Sequence, residues 1–177
     1  PFTDTPGSDG AYYYRVRFRD TAGNSGAFSG IIEAFADSLP PAPPSQPQSS
    51  FAGILLKNIY ISWTAAPEAA SFNVYRATYS TADTAALAPL AAGTTNTFIT
   101  DSPVQDSTYY YLITAIDLAG NESAATVTGV VFDIHAPVIS AAGISSGQHV
   151  NYDISPAVAI TDFSSYYSTI TLNGAPF

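Results

Sequence analysis

Thr3 to Asn24, moved forward by 97 positions, falls without a gap on Thr100 to Asn121, and 11 of the 22 aligned residues are identical. The matches include Asp4 and Pro6 with Asp101 and Pro103, the triplets Tyr12-Tyr13-Tyr14 and Tyr109-Tyr110-Tyr111, and the endings Asp20-x-Ala-Gly-Asn24 and Asp117-x-Ala-Gly-Asn121. A period near one hundred residues is too long for a solenoid unit and has the size of one β-sandwich domain. The chain is therefore expected to be a string of such domains. Since Thr3 to Asn24 matches the end of the module, the chain is expected to begin inside one domain and to be a segment of something longer.

Composition narrows the function classes. Five Lys and Arg stand against fourteen Asp and Glu, for a net charge of -9. That balance repels phosphate backbones and argues against nucleic acid as a partner. No apolar run approaches the roughly 18 residues of a membrane span, so membrane insertion is not expected. Cysteine is absent, which removes disulfides, zinc-thiolate centres and thiol catalysis from these 177 residues. A chain without Cys or Met has little to oxidise, which suits an extracellular or cell-surface location.

Along the chain, Tyr12, Tyr14, Val16 and Phe18 alternate with Tyr13, Arg15, Arg17 and Arg19 across residues 11 to 19, a half-buried strand returned by Ser29 to Phe35 after a turn at Asp20 to Asn24. The prolines of residues 38–47 cannot donate ladder hydrogen bonds and predict an extended, semi-rigid linker. Strands are then expected at Ile54 to Leu56, Asn58 to Thr64 with Ile59, Ile61 and Trp63 inward, and Phe72 to Ala77 with Phe72 and Val74 inward. Thr78 to Thr95 is less regular and has room for a short helical turn. Strands at Thr97 to Thr100, Thr108 to Ile116 and Ala124 to Phe132 complete a sandwich of about seven. Phe132-Asp133-Ile-His-Ala-Pro137 parallels Ala36-Asp37-Ser-Leu-Pro-Pro41, so a second junction is expected there. Beyond it Val138 to Ser140, Ala157 to Thr161 and Ser168 to Leu172 have strand character, and Asn173-Gly174 suits a type I′ hairpin turn.

Ile59-Tyr-Ile-Ser-Trp-Thr-Ala-Ala-Pro67, Phe72-Asn-Val-Tyr-Arg76 and Thr108-Tyr-Tyr-Tyr through Gly120-Asn-Glu-Ser123 resemble a fibronectin type III domain of the kind common in bacterial secreted proteins. The resemblance implies an all-β chain of tandem immunoglobulin-like or fibronectin type III β-sandwiches whose end domains are incomplete. Residues 1–37 would be the last two strands of one sandwich and 48–133 a whole domain. It also implies a core Trp, matched by Trp63, and a tyrosine corner, matched by Tyr109 and its copy Tyr12. Ala136-Pro-Val-Ile-Ser, Gly147-Gln-His-Val-Asn-Tyr-Asp-Ile-Ser-Pro156 and Thr171-Leu-Asn-Gly-Ala-Pro-Phe177 are similar to a different, bacterial immunoglobulin-like repeat of large surface proteins, so that 134–177 would be the start of a further domain.

Candidate chemistry is sparse. Gly143-Ile-Ser145-Ser-Gly147 fits G-x-S-x-G, but no helical periodicity follows it and His149 lies too near to serve as a late triad histidine, so a Gly/Ser loop accounts for it. His135 and His149 have no partner ligands nearby in sequence. Carboxylates are scattered singly and propose no acid/base pair. No enzyme is expected, and no cofactor unless calcium. Asp117 and Asn121 in a turn, with Asp133 in the following junction, are candidate calcium ligands if they meet at one end of the sandwich; otherwise Asp117 caps its own turn. Tyr13 and Tyr110, facing outward, are candidates for stacking on polysaccharide, together with Tyr75, Tyr166 and Tyr167. The row Arg15, Arg17, Arg19 is a candidate contact for an acidic partner, set against Leu112, Thr114 and Ile116 in the second copy.

Two readings follow. One is a structural or interaction segment of a bacterial surface protein, a stalk, adhesin or filament subunit whose partners are adjacent repeats or neighbouring copies of itself. The other is an accessory spacer or sugar-binding region of a secreted polysaccharide-degrading enzyme. Pro176-Phe177 repeats Pro1-Phe2, and residues 138 to 177 followed by residues 1 to 37 would make one small sandwich. Head-to-tail completion of the ends by strand exchange is therefore an expectation of the first reading.

Overall fold

The computed structural model describes residues 2–53, 55–143, 145–153, 157–164, 171–172 and 175–176. In chain order the strands are β1 (Gly10–Tyr14), β2 (Ile32–Ala36), β3 (Ser45–Phe51), β4 (Ile59–Thr64), β5 (Ser71–Ala77), β6 (Pro89–Thr94), β7 (Phe98–Asp101), β8 (Ser107–Ile116), β9 (Thr126–Phe132), β10 (Val138–Ala142), β11 (Ala157–Thr161), β12 (Thr171–Leu172) and β13 (Ala175–Pro176), and no helix occurs among the described residues. A three-stranded sheet in the order β3-β4-β7 faces a four-stranded sheet in the order β6-β5-β8-β9. β1 pairs with β2, β10 with β11 and β12 with β13, every pairing being antiparallel.

The sandwich follows from alternation. On β4, Ile59, Ile61 and Trp63 turn inward and are buried, while Tyr60, Ser62 and Thr64 do not. Phe72 and Val74 of β5 and Tyr109, Tyr111 and Ile113 of β8 meet them from the facing sheet. Trp63 packs edge-on against Phe72 at 5.5 Å between ring centroids. Burying each large side chain contributes about 1.5–3 kcal/mol, so this cluster is the main stabilising term of the fold. β8 loses its alternation from Tyr111 to Ala115, where every residue is buried. The cause is a second cluster on its outer face, where Leu112 packs with Tyr75, Ala77 and Leu87.

Several local expectations are corrected. The strand expected from Ile54 is a turn at Leu55 to Lys57, closed by the Lys57 N–H on the Gly53 carbonyl at 3.0 Å with Gly53 at φ 94 (Ile54 itself lies outside the described residues). The edge strand is instead β3, which starts inside the proline-rich stretch, with a register irregularity between Ser45 and Gln48 that accommodates Pro47. Pro41 and Pro44 are buried, so that stretch lies against the protein rather than in solvent. Thr78 to Thr95 holds a tight turn and β6 in place of a helical turn. The strand across residues 11 to 19 pairs regularly only as far as Tyr14, and beyond it the hairpin continues irregularly through the Ser29 N–H on the Val16 carbonyl at 2.7 Å, the Gly26 N–H on the Phe18 carbonyl at 2.9 Å and an isolated bridge between Arg19 and Ser25. Past it the Val16 N–H donates to the Ser29 hydroxyl at 3.0 Å, and β2 begins at Ile32. Ser168 to Ile170 and Asn173-Gly174 lie outside the described residues.

Candidate functional site: a repeated joint

The 97-residue repeat persists in atomic detail. β1 and β2 pair as Tyr12↔Ala34, Tyr13↔Glu33 and Tyr14↔Ile32; β8 and β9 pair as Tyr109↔Val130, Tyr110↔Gly129 and Tyr111↔Thr128, so the return strand repeats one residue short of the 97-residue offset, its connecting segment being one residue shorter in the second copy. Tyr12 donates its hydroxyl hydrogen to the Ser8 carbonyl at 2.7 Å, and Tyr109 donates to the Gln105 carbonyl at 2.9 Å. Both tyrosine corners span four residues.

The two turns are built alike. The Asn24 backbone and side-chain amides donate to the two Asp20 oxygens at 2.8 and 2.9 Å, and those of Asn121 donate to Asp117 at 2.9 and 2.9 Å. Gly23 and Gly120 sit at φ 95 and 92, where a side chain would be strained. The asparagine side-chain amide is the chief reason each aspartate is held below the ordinary carboxylate range.

The exits repeat as well. The Ser38 N–H donates to Asp9 at 3.0 Å and the Ile134 N–H to Asp106 at 2.9 Å, while Asp37 and Asp133 each accept from the backbone two residues on, at 3.1 and 3.2 Å. His135 Nδ1 adds a contact to Asp106 in the second exit. The Ile134 amide and then His135 hold the Asp106 carboxyl below its usual range against a partial loss of solvent.

Between the copies Asn121 has a double role. One hydrogen of its side-chain amide holds Asp117, and the group also donates to the Asp37 carbonyl at 3.1 Å. The exit of the first copy therefore lies on the Asp-Asn turn of the second. A groove of about 600 Å³ beside this contact is lined by Phe35, Leu39, Leu118 and Ala119 among others.

The candidate calcium ligands are not brought together. Phe132 pairs with Ser107 at the start of β8, whereas Asp117 follows its end at Ile116. Ten residues of extended chain separate the two ends by roughly 30 Å, so Asp133 cannot share an ion with Asp117 and Asn121. The antiparallel return of β9 is the reason. Asp133 accepts from the Ser164 N–H at 3.1 Å instead, and no cluster of three or more His, Cys, Asp or Glu side chains occurs among the described residues.

The aromatic candidates separate into different environments. Tyr13 is exposed and donates to Glu33 at 2.8 Å. Tyr110 is half-buried, its ring against Gly129 on the neighbouring strand. Tyr75 is buried rather than exposed: it packs with Leu112 and donates to Glu122 at 3.0 Å. Tyr166 and Tyr167 lie outside the described residues. The arginine row is engaged within its own hairpin, with Arg15 and Arg17 over the Phe28 ring at 4.1 and 4.9 Å and Arg19 donating to the Gly23 carbonyl at 3.0 Å. Ser145 closes an ordinary turn, donating its N–H to the Gln148 side chain at 2.9 Å.

Two features escaped the sequence reading. Arg76 donates to both oxygens of Asp101, at 3.1 and 2.8 Å, and Tyr111 donates to the same carboxylate at 2.7 Å. The signal was present, since Asp101 and Tyr111 are among the repeat identities, as Asp4 and Tyr14. The second feature is a stacked exposed pair, Tyr60 and Phe98, with centroids 5.9 Å apart and planes 25° from parallel. No pattern along one strand signals it, because the pair forms across β4 and β7.

No protein-family model matches the chain, and no curated protein matches it. Among solved structures it is similar to a Fn3-like protein from Clostridium thermocellum at 28% identity, over 50% of this chain and 90% of that one, with a TM-score of 0.44. It is also similar to domains d3-d4 of the rat CD45 extracellular region at 9% identity, over 74% and 69% of the two chains, with a TM-score of 0.43. Against the FN1-FN3 domains of chicken CNTN1 the identity is 15%, the coverage 70% of this chain and 42% of that one, and the TM-score 0.50. The buried tryptophan and the tyrosine corner are those that the sequence resemblance implies. The sandwich of β3 to β9 thus has a fibronectin type III-like fold.

Proposed function

We propose that this chain is a non-catalytic structural and interaction segment of an extracellular bacterial surface protein, a stalk, adhesin or filament subunit in which repeated modules are set at fixed angles. The observation that carries the reading is the Asn121 contact with the Asp37 carbonyl, which ties the exit of one copy to the turn of the next. A hydrogen-bonded joint restrains bending in a way that a solvated linker does not. Head-to-tail contact with further repeats follows from the same reading. Small-angle scattering tests it: Asn121→Ala should broaden the distance distribution while leaving the melting temperature of the sandwich within a few degrees. An unchanged profile would remove the joint as a functional device.

The Tyr60 and Phe98 pair favours a second reading, an accessory sugar-binding module of a polysaccharide-degrading enzyme. Near-parallel exposed rings on neighbouring strands offer an apolar face of the kind that sugar rings stack on. Titration with soluble polysaccharides, monitored by tyrosine fluorescence, tests this. Saturable binding lost in Tyr60→Ala would favour it over the first reading.

A further inference from the structure

The two outer faces of the sandwich differ in what their polar groups do. On the four-stranded sheet Asn73, Tyr75 and Thr114 all donate to Glu122, at 3.1, 3.0 and 2.5 Å, and Leu112 packs against Tyr75 beside them. That face satisfies itself. On the three-stranded sheet the register sets two rows across β3, β4 and β7, Ser50↔Tyr60↔Thr100 and Gln48↔Ser62↔Phe98, on the side opposite the buried Ile59 and Ile61. Tyr60 and Phe98 are diagonal neighbours in these rows, 43% and 48% exposed. Hydrogen bonds begin only at adjoining positions, Ser49 with Thr128 on the inner side and Ser102 with Asn58 just past β7. Among the described residues the five polar side chains of the rows have none. Neither row carries a charged residue, in a chain of net charge -9.

From these rows we infer that the outer face of β3, β4 and β7 binds an uncharged polysaccharide, its sugar rings laid on Tyr60 and Phe98 and its hydroxyls bonded by Gln48, Ser50, Ser62 and Thr100. A sugar ring is apolar on its faces and polar around its rim, and the rows set an aromatic pair among hydroxyls and an amide in the same way. Both parts of the ligand therefore find their complement. A uronate or sulfated chain finds no cation on the rows, and the net negative charge of the protein repels it. Of the basic residues, Arg76 is held by Asp101, Arg15, Arg17 and Arg19 lie between β1 and β2, and Lys57 stands in the turn before β4. The assignment rests on the sugar-binding reading and narrows it to one charge class.

The test is titration of the 177-residue protein with soluble glucomannan, xyloglucan and amylose as neutral probes and with polygalacturonate and alginate as acidic ones, read by affinity electrophoresis and calorimetry. At least one neutral polymer is expected to bind saturably, with no loss when salt is added, and neither acidic polymer should bind. Tyr60→Ala and Phe98→Ala should each weaken neutral binding about tenfold, and Gln48→Ala or Thr100→Val about threefold, with the far-ultraviolet circular dichroism unchanged. Tyr79→Ala, which removes an exposed aromatic beyond the end of β5, should leave binding as it is. Binding of the acidic polymers alone, binding lost with salt, or neutral binding that survives Gln48→Ala and Thr100→Val together in full would each overturn this assignment and leave the broader sugar-binding reading standing. Binding of no polymer, or self-association through Tyr60 in its place, would overturn both.

Discussion

Tyr111 of β8 donates its phenolic hydrogen to Asp101 of β7 at 2.7 Å, joining the two sheets of the sandwich at the end where Arg76 also reaches the carboxylate. Burial, reinforced by the adjoining carboxylate, pushes the Tyr111 phenol far above its ordinary value, so it remains a donor throughout the neutral range. Removing the hydroxyl deletes one bond, whereas removing the carboxylate strands a buried hydroxyl and an arginine together. Tyr111→Phe is expected to cost about 1 kcal/mol and Asp101→Ala about 2–3 kcal/mol in urea unfolding at neutral pH. Equal losses would mean that the carboxylate does not organise the group.

Trp63 is 5% exposed, and its indole N–H is the one buried side-chain polar atom without a partner among the described residues. Trp63→Ala should destabilise by about 3–5 kcal/mol through the cavity it leaves. Trp63→Phe keeps an aromatic ring beside Phe72 and removes the unpaired donor, so a clearly smaller loss is expected. A Phe variant as unstable as the Ala variant would show that the indole N–H is satisfied in solution.

The Asp-Asn turns and the exit at Asp106 make local structure pH-dependent. Asp20, Asp106 and Asp117 all have folded-state values below the unfolded one. Their stabilisation is therefore fully present above the unfolded carboxylate value of about 3.9 and is lost as pH falls through the lower folded values. Amide exchange followed into acid should show the Asn24, Asn121 and Ile134 N–H groups losing protection only below that point. Loss of protection between about pH 5 and 7, above that carboxylate range, would contradict these turns.

Gly120 and Gly129 should respond to alanine for different reasons. At Gly120 the space is open but φ is 92, so Gly120→Ala is expected to cost about 1–2 kcal/mol of backbone strain. At Gly129 the backbone is ordinary, and a Cβ would lie 3.1 Å from the Tyr110 ring. Its cost should therefore vanish in a Tyr110→Ala background, while that of Gly120→Ala should not, as thermal melts of the single and double variants would show.

Period-two alternation made Ile59, Ile61, Trp63, Phe72 and Val74 legible as core, because a strand's side chains alternate whatever they pack against. Identity between the copies likewise made both tyrosine corners and both Asp-Asn turns legible, since each closes within about four residues. Where alternation met a covered outer face it misled: Tyr75 counts as outward along the strand and is buried, because Leu87 and Leu112 cover it. β3 and the turn at Leu55 to Lys57 also stayed hidden, the prolines masking an edge strand whose ladder bonds run to one side only.

Sequence by itself determined the all-β repeat, the inward faces of its strands and the turns that close locally, since each depends on neighbours a few residues away. Only the tertiary structure decided which ends of strands meet. It separated Asp133 from Asp117, seated Asn121 on the Asp37 carbonyl, and joined Arg76, Asp101 and Tyr111 across two sheets. Those relations depend on antiparallel register and on the packing of one sheet over another, and one-dimensional spacing carries neither.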